Sequence, residues 1–121
     1  MREMMSSRRK FGVLVIDRGD GTLGGFAELA LRDGVDGARQ ETTAFLEGWF
    51  VDEDLRGSGW GRELVRAAEA WAVERGMIEL ASDAEMENEA SIAAHAALGF
   101  RETFRVVQFL KPLRRTRAAP H

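Results

Sequence analysis

Hydrophobic and polar positions follow two different periods along the 121-residue chain. In the first half, short apolar runs rich in β-branched and aromatic residues predict strands at 11–16, 23–31 and 43–51. The turn at 17–22 contains an Asp-Gly pair, which suits a hairpin between the first two strands. A polar, glycine-rich loop at 32–42 leads into the third strand. The first half is therefore predicted to be an antiparallel meander.

The second half of the chain changes to a helical period. Apolar residues recur at helical spacing from residue 60 to 75, which predicts an amphipathic helix. The pattern then predicts a strand at 77–82, a shorter helix at 87–98 and a last strand at 103–110. A strand, a helix and a second strand in succession imply a parallel pair with a right-handed crossover. The predicted fold class is α+β, with a mixed sheet.

Composition narrows the class of protein. The absence of cysteine excludes disulfides, thiolate metal sites and cysteine nucleophiles, and it fits a cytoplasmic protein. Two histidines 26 positions apart form no zinc pattern, so no metal is expected. The length predicts a single domain over 1–121, with peripheral or frayed segments at 1–10 and 112–121.

Charge is distributed unevenly. Residues 41–91 carry thirteen Asp or Glu against four Arg, whereas residues 101–121 carry six Lys or Arg against one Glu. An acidic middle repels nucleic acid and attracts cations, so nucleic acid is not an expected partner, and no apolar run is long enough to suggest a membrane. The alternative is an ordinary solvated helix surface with a basic tail.

The sequence "RGSGWG" at 56–61 connects a predicted strand to the long helix. Glycines let backbone approach a ligand closely, and a helix start offers free N–H groups, so a phosphate site is one interpretation. A flexible turn with a glycine helix cap is the other. The spacing fits neither a Walker loop nor a Rossmann fingerprint.

The order of these motifs resembles the GNAT superfamily of acetyltransferases over residues 11–111. The resemblance is carried by Arg-x-x-Gly-x-Gly (Arg56, Gly59, Gly61) between strand and helix, by Asn88, and by "LGF" at 98–100. Within that superfamily, "FLEGWFV", "AAEAWAVERG", "ELASDAEMEN" and "HAALGFRETFRVVQFLK" are similar to aminoglycoside 6'-N-acetyltransferases. The resemblance implies a GNAT-like sheet, an antiparallel meander followed by β-α-β-α-β. It also implies direct acetyl transfer from acetyl-coenzyme A to an aminoglycoside 6'-amine.

The resemblance also implies where acetyl-coenzyme A lies. Backbone amides of the glycine loop would meet its pyrophosphate, and its pantetheine arm would lie where the third strand parts from the strand at 77–82. Asn88 and Ser91 could instead be an N-cap and a helix-surface hydroxyl. The implied cofactor-binding residues are Trp49, Phe50, Val51, Arg56, Gly57, Ser58, Gly59, Trp60, Gly61, Arg62, Asn88 and Ser91.

Glu47 is a single carboxylate within the apolar strand "AFLEGWFV". Strict alternation would place it on one face with Phe45, Trp49 and Val51, and a buried unpaired carboxylate is costly, so a polar cleft is predicted there. The resemblance gives Glu47 a role in accepting a proton from the amine or anchoring a polycation. A charge on a solvent-facing strand is the alternative.

Two further residues are assigned to catalysis by the resemblance. Asp83 matches an aspartate that meets the antibiotic's amines, and its alternative is a loop or helix-cap aspartate. His95 stands where many superfamily members have a tyrosine that protonates the departing thiolate. An imidazolium could donate that proton, but a hydrogen-bonded core histidine is equally consistent with the sequence.

The ends of the chain depart from the superfamily pattern. Residues 1–10 have room for only the last turn of a helix, so the first strand and helices of the family are expected to be missing, as a start at an internal Met would explain. A lone terminal strand predicts pairing with a second subunit, hence a homodimer.

Two other functions stay open: acetylation of a polyamine, a small metabolite or a protein N-terminus, and a non-catalytic acyl-coenzyme A-binding module.

Overall fold

The computed structural model describes residues 2–7 and 10–114. In that part of the chain, five strands form one sheet in the order β1-β2-β3-β4-β5, antiparallel except for the parallel pair β4–β5. The strands are β1 (Arg2–Ser7), β2 (Phe11–Asp17), β3 (Leu23–Asp33), β4 (Thr42–Val51) and β5 (Leu80–Ser82). A 3₁₀ turn (Glu53–Leu55) precedes α1 (Trp60–Glu74), and α2 (Glu89–Ala97) follows β5.

The predicted hairpin is confirmed, and its turn is held by aspartates. The Asp17 carboxylate accepts the N–H of Gly19 at 2.8 Å, and the Asp20 carboxylate accepts the N–H of Thr22 at 2.9 Å. Asp20 also accepts the Thr22 hydroxyl, and these bonds hold the pKa of Asp20 below its usual range. Short polar side chains that bond to nearby backbone are the usual reason that such turns form.

The helix α1 covers one face of the sheet and builds the core. Leu64, Val65, Ala68, Trp71 and Ala72 are its buried residues, at the spacing of one helical face. They pack against alternate residues of β2, β3 and β4. Full burial of a side chain such as that of Leu64 contributes about 1.5–3 kcal/mol. This packing fixes α1, and with it the glycine loop at its start, against β4.

The prediction of a helical turn near the amino terminus was wrong. Residues 2–7 form a strand that pairs antiparallel with β2, not the last turn of a helix. The sequence carries no strand pattern there, so the pairing edge that β2 offers decides the conformation. The predicted strand at 77–82 is also shorter than expected and comprises only Leu80–Ser82.

The predicted last strand at 103–110 is not formed. Residues 100–114 have no regular structure, and the side chains of Phe104, Phe109 and Leu110 are exposed. A strand needs a partner to satisfy its backbone, and β5 offers only three residues. The β-α-β-α-β order of the prediction therefore stops at α2 in the described residues. The predicted tail at 112–121 lies outside those residues from 115 onward.

Candidate active site

The strands β4 and β5 part at the centre of the molecule. Their parallel pairing runs from Ala44 and Leu80 to Leu46 and Ser82, and it ends there. Beyond this point a cavity of about 540 Å³ opens between the diverging chains, α2 and the start of α1. Its lining residues are Glu47, Gly48, Trp49, Phe50, Val51, Arg56, Gly57, Gly61, Ser82, Asp83, Asn88, Ala90, Ser91, Ala94 and His95.

A β-bulge places Glu47 at the mouth of this gap. Leu29 of β3 lies opposite Leu46, and Glu28 lies opposite Gly48, so Glu47 has no partner on β3. The extra residue breaks the alternation of side chains along β4. Val51 belongs to the core under α1 with Leu46, whereas strict alternation would have put these two residues on opposite faces. The prediction that Phe45, Glu47, Trp49 and Val51 share one face was therefore wrong.

The Glu47 carboxylate is paired with Arg32 of β3. The two side chains approach to 2.5 Å, and the Arg32 guanidinium lies 3.8 Å from the centre of the Phe45 ring. Glu47 keeps about a third of its side chain exposed. Sequence reasoning missed Arg32, because its place opposite Thr43 follows only from the register of β3 and β4. The carboxylate is thus oriented by a cation and still open to the cavity.

The glycine loop has the backbone geometry of an anion site. Gly57 and Gly59 have φ of 81° and 90°, in the left-handed region that favours glycine. Gly59 is the N-cap of α1, and its carbonyl accepts the N–H of Glu63 at 3.1 Å. The helix N-terminus supplies amides without helical partners and the positive end of a dipole. These features fit a pyrophosphate.

Arg56 connects this loop to β4. Its Nε donates to the Val51 carbonyl at 2.8 Å, and its guanidinium lies 5.3 Å from the centre of the Phe50 ring. These contacts hold the guanidinium at the wall of the cavity. Gly57 lines the same wall. A fixed cation beside the helix start adds to the electrostatic preference for a phosphate.

Four of the predicted cofactor-binding residues do not line the cavity. The Ser58 hydroxyl donates to the Leu55 carbonyl, and Trp60 packs against the core. Gly59 acts as the helix cap, and Arg62 is exposed in the first turn of α1. The other eight, Trp49, Phe50, Val51, Arg56, Gly57, Gly61, Asn88 and Ser91, surround the same space as Glu47, Asp83 and His95.

Asn88 has the capping role that was its alternative, and it also lines the cavity. Its side-chain oxygen accepts the N–H of Ser91 at 3.0 Å at the start of α2. Asp83 follows β5 directly and is exposed at the cavity wall. Both residues are therefore positioned by the ends of regular elements, which keeps their side chains near the gap.

His95 is half-buried, and both of its ring nitrogens have hydrogen-bond partners. Nδ1 lies 2.7 Å from the Ser91 carbonyl oxygen, and Nε2 lies 2.8 Å from the Ser82 hydroxyl. Trp49 and Phe100 contact the ring edge-on, with centroids 4.7 and 5.1 Å away. The sequence predicted that Leu80 to Ser82 lie beside the pantetheine gap, but it gave no sign of the contact between Ser82 and His95, since that contact depends on where β5 ends.

Among the described residues, no group of three or more His, Asp or Glu could hold a metal ion. No helix in the described part of the chain has the length and apolar character needed to cross a membrane.

The chain belongs to the acetyltransferase (GNAT) family, whose model matches residues 2–100. An aminoglycoside N(6')-acetyltransferase type 1 of Stenotrophomonas maltophilia is 50% identical over 95 residues, which is 78% of this chain and 62% of the relative. The enzyme of the same name from Klebsiella aerogenes is 46% identical over 105 residues, 87% of this chain and 69% of the relative.

The fold is also similar to that of a solved aminoglycoside acetyltransferase. AAC(6')-Iy, in complex with the bisubstrate analogue CoA-S-monomethyl-acetylneamine, superposes with a TM-score of 0.79 at 36% identity. The similarity covers 88% of this chain and 72% of that one. The matches thus span between 62% and 72% of the length of these relatives.

Proposed function

We propose that this protein is an acetyl-coenzyme A-dependent N-acetyltransferase, acting as a single domain over 1–121, that acetylates the 6'-amino group of an aminoglycoside. The observation that carries the proposal is the gap beyond Leu46 and Ser82. A glycine loop suited to a pyrophosphate lies at one end of it, and the carboxylates Glu47 and Asp83 lie at the other. The relatives named above support the choice of acceptor, because they are aminoglycoside N(6')-acetyltransferases.

At the donor end, the proposed task of the chain is to hold acetyl-coenzyme A in one place. Amides at the start of α1 and the Arg56 guanidinium bind the pyrophosphate. Trp49, Phe50 and Val51 line the channel for the pantetheine arm on the side of β4. Fixing the thioester beside the amine removes the entropy cost of bringing the two reactants together.

At the acceptor end, the amine has to lose its proton before it can attack. An aminoglycoside carries several ammonium groups, and two carboxylates near one cavity suit such a ligand. Glu47 accepts the proton of the reacting ammonium, directly or through a water molecule. Asp83 binds another ammonium. The amine then attacks the thioester in a ternary complex, and no acetyl-enzyme is formed.

Steady-state turnover of kanamycin with acetyl-coenzyme A tests the proposal. Acetylation at the 6'-amine, identified by mass spectrometry and NMR of the product, supports it. Turnover of spermidine or a peptide amine instead would indicate another N-acetyltransferase. Calorimetric binding of coenzyme A without turnover of any amine would indicate a non-catalytic binding module.

We also propose that the protein is a cytoplasmic homodimer. Acetyl-coenzyme A is a cytoplasmic metabolite, which supports the location. The dimer is supported by the apolar side chains that residues 104–113 expose and by the short edge strand β5. Exposed apolar segments and open strand edges both favour association with another chain.

A further inference from the structure

Ser82 occupies the point at which β4 and β5 separate. It is the last residue of β5 in the parallel pairing, opposite Leu46, and it lines the cavity. Its hydroxyl lies 3.2 Å from the Leu46 carbonyl oxygen and 2.8 Å from Nε2 of His95. No other hydroxyl that lines the cavity contacts Nε2 of His95 in the described residues. The hydroxyl thus bridges the imidazole and the backbone of β4 at the edge of the gap.

The hydrogen bonds of His95 decide which nitrogen carries a proton. The Ser91 carbonyl can only accept, so Nδ1 must be the donor of that 2.7 Å bond. In the neutral ring, Nε2 therefore has a lone pair and accepts the Ser82 hydroxyl. In the imidazolium, Nε2–H donates to Ser82, and the hydroxyl proton turns to the Leu46 carbonyl. Ser82 can accept one proton from the ring while it donates another.

We propose that Ser82 is the residue that protonates the departing thiolate, and that His95 supplies the proton through it. The neutral amine nitrogen attacks the acetyl carbon and a C–N bond forms. The nitrogen then releases its extra proton to solvent, and the C–S bond breaks with its electron pair on sulfur. Ser82 gives its hydroxyl proton to that sulfur and receives the Nε2 proton of His95. The His95 ring is left neutral, with Nδ1–H still donating to the Ser91 carbonyl. Solvent then returns a proton to Nε2. This inference rests on the proposed acetyl transfer.

Charged groups from three parts of the chain line the cavity together with His95. The charged groups that line the same cavity are Glu47 on β4, Asp83 after β5 and Arg56 before α1. Glu47 is paired with Arg32. Trp49 and Phe100 hold the ring by its edges and add no charge.

Two acyl donors with different leaving groups show whether Ser82 donates a proton or has only a structural role. Ser82→Ala should lower kcat with acetyl-coenzyme A by about 100-fold, within the range for loss of a general acid. With S-(4-nitrophenyl) thioacetate, whose thiolate needs no protonation, the variant should approach wild-type rates. Ser82→Thr keeps the hydroxyl and should recover most of the activity. Thr43→Val removes a buried hydroxyl of the same sheet, outside the cavity, and serves as the control.

The pH profile gives a second readout. A donor that must be protonated makes kcat fall at alkaline pH, and Ser82→Ala should lack that decline. The calorimetric affinity for coenzyme A should be the same in wild type and variant. Equal losses of kcat with both acyl donors, or an unchanged alkaline limb, would overturn the proposal.

The hydrogen bond itself can be observed without turnover. The sequence has only two histidines, His95 and His121, so ¹⁵N spectra of the imidazoles are simple to assign with His121→Asn. Ser82→Ala should move the Nε2 signal of His95, and Thr43→Val should not. An unmoved signal contradicts the relay. Failure of the proposed function is a different result, because wild type would then turn over no amine whatever the spectra show.

Discussion

The Arg18 guanidinium donates to both carboxylate oxygens of Asp54, at 2.7 and 3.0 Å, across the turn before the glycine loop. It also donates to Asp52 at 3.0 Å. These hydrogen bonds hold the pKa of Asp54 below its usual range and raise that of Arg18. A residue of the β2–β3 hairpin is thus tied to the segment that leads into the predicted pyrophosphate site.

Arg18→Gln should weaken acetyl-coenzyme A binding because the glycine loop loses an anchor. The turn would still be attached by the Asp52 N–H to the Gly24 carbonyl, at 2.8 Å, and by Leu55 against Gly24. We therefore expect a Kd increase of about threefold to tenfold, measured by calorimetry, with kcat nearly unchanged. Faster hydrogen exchange at the Leu55 and Arg56 amides should accompany it. Arg66→Gln, which removes an exposed pair with Glu63 on α1, is the control.

The Arg18–Asp54 pair makes the free energy of unfolding depend on pH in a defined direction. The pKa of Asp54 is depressed in the folded state, so the unfolded state binds a proton first as pH falls. The contribution is therefore complete above the ordinary carboxyl range, near about pH 4, and is lost as pH falls through the lowered pKa. Denaturation should show wild type and Arg18→Gln converging in acid. If the difference in free energy of unfolding between wild type and Arg18→Gln stayed constant down to low pH, the lowered pKa of Asp54 would not be its cause.

Gly61 offers a test of the cofactor position that does not strain the backbone. It lies in the first turn of α1 and lines the cavity, and an added Cβ would lie 3.7 Å from Nε1 of Trp49. Gly61→Ala should still bind coenzyme A, whereas Gly61→Leu should fill the channel and weaken binding by about 100-fold in calorimetry. Unchanged affinity in a folded Gly61→Leu variant would place the cofactor elsewhere.

Gly59 should respond to substitution for a different reason. An added Cβ would meet nothing within 4 Å, but the residue has φ of 90°. Gly59→Ala should therefore destabilise the start of α1 by about 1–2 kcal/mol, the cost of a left-handed conformation in a residue with a Cβ. Thermal or chemical denaturation measures this cost.

Part of this architecture is predictable from the sequence because it depends on local patterns. The helical spacing at 60–75 and the Asp-Gly turn at 17–22 specify α1 and the hairpin without reference to the rest of the chain. The bulge at Glu47 is not predictable in this way, because it is defined by the register of β3 against β4. The pairing of Arg32 with Glu47 and the contact of Ser82 with His95 were missed for the same reason. The segment 103–110 has a strand pattern, but its conformation depends on a partner that the pattern cannot supply.

Gly12 gives a stability prediction that is independent of function. A Cβ at this position would lie 2.5 Å from Nε1 of Trp71, a buried ring on α1. That nitrogen has no hydrogen-bond partner among the described residues, and the ring is almost fully buried. Gly12→Ala should lower the free energy of unfolding by about 1–3 kcal/mol through overpacking. Gly48→Ala, whose Cβ would meet nothing within 4 Å, should be nearly neutral in the same urea titration.

The contributions of Glu47 and Arg32 to activity can be distinguished with one variant of each residue. Glu47→Gln keeps the shape of the side chain and removes the proton acceptor, so kcat/KM for the aminoglycoside should fall by about 10- to 100-fold. The affinity for coenzyme A should be unchanged. Arg32→Met keeps an apolar stem over Phe45 and leaves the carboxylate in place, so it should cost much less activity. Equal losses in the two variants would mean that Glu47 serves only to pair with Arg32.

The exposed segment after α2 makes the proposed dimer testable. Phe109 and Leu110 are each exposed by more than four fifths, which is unusual for two adjacent large apolar residues. If they lie in the subunit interface, Phe109→Lys with Leu110→Lys should convert the dimer to a monomer, because a buried charge without a partner is costly. Light scattering gives the mass directly. Leu23→Lys, at the distant hairpin, should leave the mass unchanged. A wild-type protein that is monomeric at the concentrations used for turnover would refute the dimer and leave the cavity's proposed chemistry untouched.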